Sequence, residues 1–324
     1  MIYEYAVDPQ FIVDLADKHD LASSLRRATG VGHPCIIAGY PEELGKKVRA
    51  IIKEKLSTAK DPKLISRLQR CLRDSTDLAA SLTEKTRTTR RYGATIWNGD
   101  FCKEHERFPF AGILSTQAKI KDEASLNLPL LTIDGLRSDN CPYFKYPRAK
   151  RVLRNQLATE LEPLLHNAST VIFIDPYFRP QKCFKENYKK YFKLLSNAAR
   201  VRSTGPRQVA IICAVKTGRT TINAEDYKKI CHERLPTWLP ENIRLTIHRI
   251  GENSGGQQIH NRYIFTDIGG VFLGHGTDAP KDKRDSWDDI SLLEAEQLAK
   301  WRNVYKPNSP DFVWSEPPII LSKE

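Results

Sequence analysis

This chain has no apolar run approaching the roughly 20 residues that a helix needs to cross a bilayer. Its N-terminus also lacks the basic-then-apolar order of a secretory signal. Both absences predict a cytoplasmic protein with no membrane partner. The seven cysteines (Cys35, Cys71, Cys102, Cys141, Cys183, Cys213, Cys231) include no Cys-x-x-Cys pair. An odd, unpatterned set argues against a disulfide framework and for reduced thiols. Asp100, Cys102 and His105 have no matching second ligand pair nearby, so no metal centre is expected. Gly255-Gly256 precedes no helix start and gives loop freedom rather than a phosphate cradle, so no cofactor is expected either. Internal repeats and low-complexity tracts are absent.

What is present is a soluble composition, 40% apolar and 28% charged, over 324 residues. That length suffices for one large domain or two modest ones. The net charge of +12 is high, and it is spread along the chain. There are 25 basic and 19 acidic residues up to Lys150, against 26 and 20 after it. Such a surplus favours a polyanionic partner, nucleic acid (DNA or RNA) before an anionic membrane surface.

Residues 1–90 read as a largely helical region. Asp8-Pro9 starts one helix, with Phe11, Leu15 and Ala16 on a shared face. Pro41 opens a second, striped by Leu44, Val48, Ile51, Ile52 and Leu56, and Asp61-Pro62 a third, with Leu64, Ile65, Leu68, Leu72 and Leu78. Basic residues on the polar faces (Lys46, Lys47, Arg49, Lys53, Lys55), together with Arg87, Arg90 and Arg91, suit a phosphate backbone. Residues 91–147 are a mixed β and irregular connecting region, with β character at Tyr92 to Trp97 and Phe108 to Leu114.

Residues 148–324 alternate between helical and strand periods, which predicts an α/β domain whose sheet is covered on both faces. Arg148 to Leu165 reads as helix, Ser169 to Ile174 as strand, Lys182 to Ala199 as helix and Gln208 to Val215 as strand. Ala224 to Leu235 is helical, Ile243 to Ile250 a strand, and Ser286 to Tyr305 a closing helical region. Asp175 and Tyr177 follow a strand end, where open α/β sheets bind ligands. Glu294, on the final helix after Trp287-Asp288-Asp289, is a further candidate.

One segment carries the chemistry: Ile259-His-Asn-Arg-Tyr-Ile-Phe-Thr-Asp-Ile-Gly-Gly-Val-Phe-Leu-Gly-His-Gly-Thr-Asp278. On an extended strand His260 and Arg262 leave the same face. An imidazole beside a fixed cation serves a phosphoester reaction, one group attacking or moving a proton while the other neutralises phosphate oxygens.

This segment resembles the signature of the phospholipase D superfamily: histidine-x-lysine, four residues, aspartate, six residues, glycine-serine-x-asparagine. His260, Asp267 and Gly274 fall in register, whereas Arg262 replaces the lysine, His275 the serine and Thr277 the asparagine. The resemblance covers this motif and, more loosely, the region from about Thr170 onward. It implies a phospholipase D-like sheet flanked by helices and a metal-independent reaction through a phosphohistidine. It makes His260 the nucleophile and Asp267 a residue of the phosphate pocket. Arg262 becomes a bidentate phosphate clamp that keeps the charge but donates no proton as a lysine would. In the superfamily a second histidine protonates the leaving oxygen. No second histidine-x-lysine or histidine-x-arginine element is found in the N-terminal half. Two sources stay open: His275, between two glycines, or the His260 of a second copy in a homodimer, which is the favoured arrangement.

The expectation is therefore a nuclease, a hydrolase of the kind that by analogy serves bacterial defence or repair, with protein partners in a larger complex as a further expectation. A catalytically inactive nucleic-acid-binding or assembly module is the alternative, and a lipid phosphodiesterase a third reading.

Overall fold

A computed structural model describes residues 2–16, 18–29, 32–38, 44–81, 84–85, 105–106, 110–116, 128–137, 147–201, 207–217, 220–253, 259–278, 286–307, 309–314 and 316–323. The chain is of the α/β class and divides into two compact units, one of residues 2–146 with 201–203, the other of the remainder.

In the first unit, β1 (Tyr3–Val7), α1 (Pro9–Ala16), α2 (His19–Ala28), β2 (Cys35–Ala38), α3 (Leu44–Thr58), α4 (Pro62–Ser81), β3 (Glu84–Lys85), β4 (Gly112–Leu114) and β5 (Leu130–Leu131) follow in order. The strands form one sheet, β3-β2-β1-β4-β5, and every pairing is parallel. Helices make up most of the described residues within 1–90, and three strands that the helical pattern did not signal lie among them. Cys35–Ala38 is a short apolar run and Tyr3–Val7 is broken only by Glu4; both are buried almost throughout, as a parallel strand covered on both faces requires, and neither shows an alternation to flag it. One core packs Tyr5, Val7, Phe11, Leu15 and Ile37 against Leu44, Val48 and Ile52 of α3. A smaller cluster, Ala6, Ala38, Phe110 and Ile113, is separate from it. Within the 91–147 region, β4 pairs with β1 and β5 with β4, so 112–114 and 130–131 belong to this unit's sheet.

The second unit runs β6 (Ala149–Leu153), α5 (Leu157–Asn167), β7 (Thr170–Ile174), α6 (Lys182–Val201), β8 (Arg207–Ala214), β9 (Lys216–Thr217), β10 (Thr220–Thr221), α7 (Ala224–Arg234), β11 (Ile243–Glu252), β12 (Arg262–Thr266), β13 (Gly269–Leu273), β14 (Trp287–Leu292), α8 (Ala295–Val304), β15 (Phe312–Val313) and β16 (Ile319–Ser322). Its large sheet is ordered β15-β11-β8-β7-β12-β13-β14-β6, with β16 also on β11. The strands β7, β8 and β11 are parallel, and β12, β13, β14 and β6 continue antiparallel. Two helical expectations are corrected. Arg148 to Leu153 belongs mostly to strand β6, and the closing region starts as β14, where exposed Trp287 and Asp289 alternate with buried Asp288 and Ile290. Each strand hydrogen-bonds the other, and that pairing decides against the helical period.

β12 runs antiparallel to β7, with Tyr263 opposite Ile174. Its start therefore lies at the carboxyl ends of the parallel strands. β13 ends and β14 begins at this same edge, with Leu273 opposite Ile290. Four segments meet there: the end of β7, the start of β12, the end of β13 and the start of β14.

Candidate functional site

Asp175 directly follows β7 and is 1% exposed. Pro176 cannot extend the strand ladder, and Tyr177 N–H folds back to donate to Asp175 Oδ1 at 3.1 Å. Asp175 Oδ2 accepts from Thr277 N–H at 3.2 Å and Thr277 Oγ1 at 2.5 Å. Burial pushes its carboxyl above the ordinary carboxylate range, and the Thr277 hydrogen bonds, the Tyr177 amide and the Arg262 charge oppose that push. Asp175 thus ties the turn after β7 to the loop after β13.

His260 lies in a turn just before β12, not on the strand, and its side chain is exposed. With His260 off the strand, it and Arg262 are connected through Tyr177. The Tyr177 hydroxyl lies 3.1 Å from His260 Nδ1, and its ring meets the imidazole edge-on, centroids 6.3 Å apart. The Arg262 guanidinium carbon sits 4.5 Å from the centroid of that same Tyr177 ring. Arg262 Nη1 donates to the Gly274 carbonyl at 3.3 Å, while its buried Nε has no hydrogen-bond partner.

The loop Gly274-His275-Gly276-Thr277-Asp278 is fixed at every residue. Gly276 has φ +103°, and a Cβ there would stand 2.9 Å from Arg262 Cδ and 3.0 Å from its Nε. A Cβ at Gly274 would stand 2.8 Å from Asp288 Oδ1. Thr277 O accepts from Asn187 Nδ2 of α6 at 3.0 Å, and the Tyr188 hydroxyl is 3.1 Å from Thr277 Oγ1. Arg154 Nη2 reaches Asp278 Oδ1 at 2.6 Å. His275 N–H donates to Asp288 Oδ1 at 2.9 Å, and His275 Nδ1 lies 3.3 Å from that same oxygen. The His275 side chain is 65% exposed and that of Asp288 0%.

The fold therefore brings together His260, Arg262, His275, Asp175, Tyr177 and Thr277. It does not bring Asp267 or Glu294 to them. Asp267 follows the far end of β12, about 16 Å of strand from Arg262. There its Oδ1 accepts from Ser169 N–H at 2.7 Å and Thr170 N–H at 3.3 Å. Glu294 caps α8 through a reciprocal box with Gln297 and lies 3.9 Å from Arg148 Nε. Arg87, Arg90 and Arg91, like the expected strand at Tyr92 to Trp97, lie outside the described residues. Sequence reasoning missed Asp288, Arg154 and Asn187. The signal for Asp288 was an acid on the strand face it shares with Ile290 and Leu292, visible only once 287–292 is read with period two.

Among the described residues, no group of three or more His, Cys, Asp and Glu side chains is placed to hold a metal ion, and no helix is long and apolar enough to cross a membrane. No protein-family model matches this chain, and no curated protein is similar to it.

Proposed function

We propose that this chain is a metal-independent phosphodiesterase of the phospholipase D type, acting on nucleic acid in the cytoplasm through a covalent phosphohistidine. One observation carries the reading: an exposed imidazole held at Nδ1 by Tyr177 shares a sheet edge with a guanidinium stacked on the same tyrosine ring. With Nδ1–H donating to the Tyr177 oxygen, the lone pair of His260 Nε2 faces outward as a nucleophile toward phosphorus. Arg262 offers the charge that phosphate oxygens need, and it works best away from bulk water. His275, Asp175 and Thr277 complete the site. Asp267 and Glu294 serve its scaffold.

Nucleic acid is favoured over lipid by charge. Residues 44–81 hold ten Lys and Arg against four Asp and Glu. That surplus equals the whole excess of the N-terminal half, concentrated on two helices packed against each other. Arg49, Lys53 and Lys55 of α3 and Lys63, Arg70 and Arg73 of α4 are exposed. A homodimer belongs to the same proposal, as one of two sources of a second imidazole.

The test is cleavage of DNA and RNA in EDTA, beside His260→Ala. The expected outcome is cleavage that persists in chelator and falls by at least about 10³-fold in the variant. A second reading, a phosphate-binding module without catalysis, draws on the engagement of Arg262 by the Gly274 carbonyl. Binding retained by both proteins with cleavage by neither would establish it.

A further inference from the structure

We infer that His275 is the proton-transfer group of the reaction and that Asp288 is its positioning residue, so that a single chain holds both imidazoles. The inference rests on the phosphodiesterase reading above and assigns the step that the reading leaves open.

Asp288 is a buried carboxylate that the sequence motif does not include. Its Oδ1 takes the His275 amide and faces His275 Nδ1, while its Oδ2 is buried without a hydrogen-bond partner. An acid with one oxygen committed to a backbone amide is fixed in place. It then selects one tautomer of the ring it faces, with the proton on Nδ1, and supports the ring when it is charged. The other nitrogen, Nε2, belongs to an imidazole that is 65% exposed. Gly274 makes the contact feasible, because a Cβ there would meet the Asp288 oxygen at 2.8 Å. Gly276, on the other side of His275, lies against Arg262, whose guanidinium stacks on the tyrosine that holds His260. The residues flanking His275 thus abut Asp288 on one side and Arg262 on the other, and that same Arg262 stacks on the tyrosine that holds His260.

His260 Nε2 gives its lone pair to phosphorus, and the bond from phosphorus to the leaving oxygen breaks with its electron pair going to that oxygen. The oxygen takes the proton from Nε2 of the His275 imidazolium, and the alcohol leaves. Neutral His275 then takes a proton from water as the water oxygen attacks phosphorus. The P–N bond breaks, its electrons return to His260, and a phosphomonoester is released.

The experiment compares two thymidine phosphodiesters in the full-length protein, a dinucleotide with an alkoxide leaving group and a p-nitrophenyl ester whose phenolate leaves without a proton. General-acid loss predicts that His275→Ala slows the dinucleotide by about 10²–10⁴-fold. The same variant still releases a burst of one nitrophenolate per His260 from the second ester. Asp288→Asn is expected to show the same leaving-group dependence at smaller amplitude. Nitrogen-15 NMR of the histidines should place a proton on His275 Nδ1 in the parent protein and lose it in Asp288→Asn. Equal slowing of both esters, or full dinucleotide activity in His275→Ala, overturns the inference while leaving the phosphodiesterase reading intact. A parent protein that cleaves neither ester overturns both.

Discussion

At the end of β1 the chain reads Val7-Asp8-Pro9-Gln10-Phe11, and at the end of β7 it reads Ile174-Asp175-Pro176-Tyr177-Phe178. The local geometry repeats as well. Gln10 N–H donates to Asp8 Oδ1 at 3.0 Å, as Tyr177 N–H does to Asp175 Oδ1 at 3.1 Å. Phe11 N–H and Phe178 N–H return to the carbonyls of Asp8 and Asp175 at 2.9 and 3.0 Å. Both aspartates are pushed up by burial, and both take hydroxyl donors, Ser115 and Thr116 in one unit and Thr277 in the other. Both turns follow a strand that has a parallel neighbour. The neighbouring strand differs. Beside β1 stands the parallel β4, followed by Ser115 and Thr116, whereas beside β7 stands the antiparallel hairpin of β12 and β13, with His260 before it and His275 after it. The same buried turn is thus a fastening in one unit and the floor of a candidate site in the other. Asp-Pro marks where a site is buildable, and the chemistry comes from the strand placed next to it.

The most forceful way to break this comparison is to remove each aspartate. Asp8→Ala and Asp175→Ala should each cost about 2–4 kcal/mol of unfolding free energy in urea, since backbone N–H donors are left without acceptors. Only Asp175→Ala should also abolish phosphodiester cleavage; equal loss from Asp8→Ala would erase the distinction.

The glycines sharpen it next. Gly276→Ala places a methyl against Arg262 at positive φ and should cost about 1–3 kcal/mol together with most of the activity. Gly45→Ala, in α3 with nothing within 4 Å of its added methyl, should stabilise by about 0.5–1 kcal/mol and leave activity unchanged. Thermal unfolding and ester turnover read both.

A smaller effect concerns pH. A carboxyl raised in the folded state holds its proton more tightly there than in the unfolded chain. Its contribution is therefore complete below the ordinary 3.8 and is lost as pH rises through the raised value. Measured against Asp8→Asn, the parent protein should lose relative stability over that interval, and a relative gain would contradict the buried carboxyl. The smallest effect is in thiol labelling. Burial pushes Cys213 up to about 11 and Cys231 up to about 12, so on the native protein both should alkylate far more slowly than half-buried Cys183. Prompt labelling of Cys213 would mean that the sheet beneath Asp175 is open.

The residues of the candidate site were legible because motif spacing is local. His260, Arg262, His275 and Thr277 lie within one segment, and Asp175 with Tyr177 follows a strand that announces itself. Helices α3 and α4 were legible from their stripes, and Leu44, Val48 and Ile52 do face the core. Three things were hidden for physical reasons. Tyr3–Val7 and Cys35–Ala38 are buried on both faces, so no period distinguishes them. Trp287–Leu292 becomes a strand through neighbours far away in sequence, which conceals Asp288. The motif position of Asp267 marks a chain position but not a destination, and the hairpin carries it to the far end of the sheet, onto the amides of Ser169 and Thr170.

The central claim is that His260 bonds to phosphorus. Acid-free quenching of the reaction with a labelled phosphodiester, followed by peptide mass spectrometry under alkaline conditions, tests it most directly. The account predicts a phosphoryl adduct on the peptide that contains His260, more abundant in His275→Ala, where its hydrolysis is slowed. Turnover with no adduct on that peptide, or an adduct that persists in His260→Ala, would contradict it.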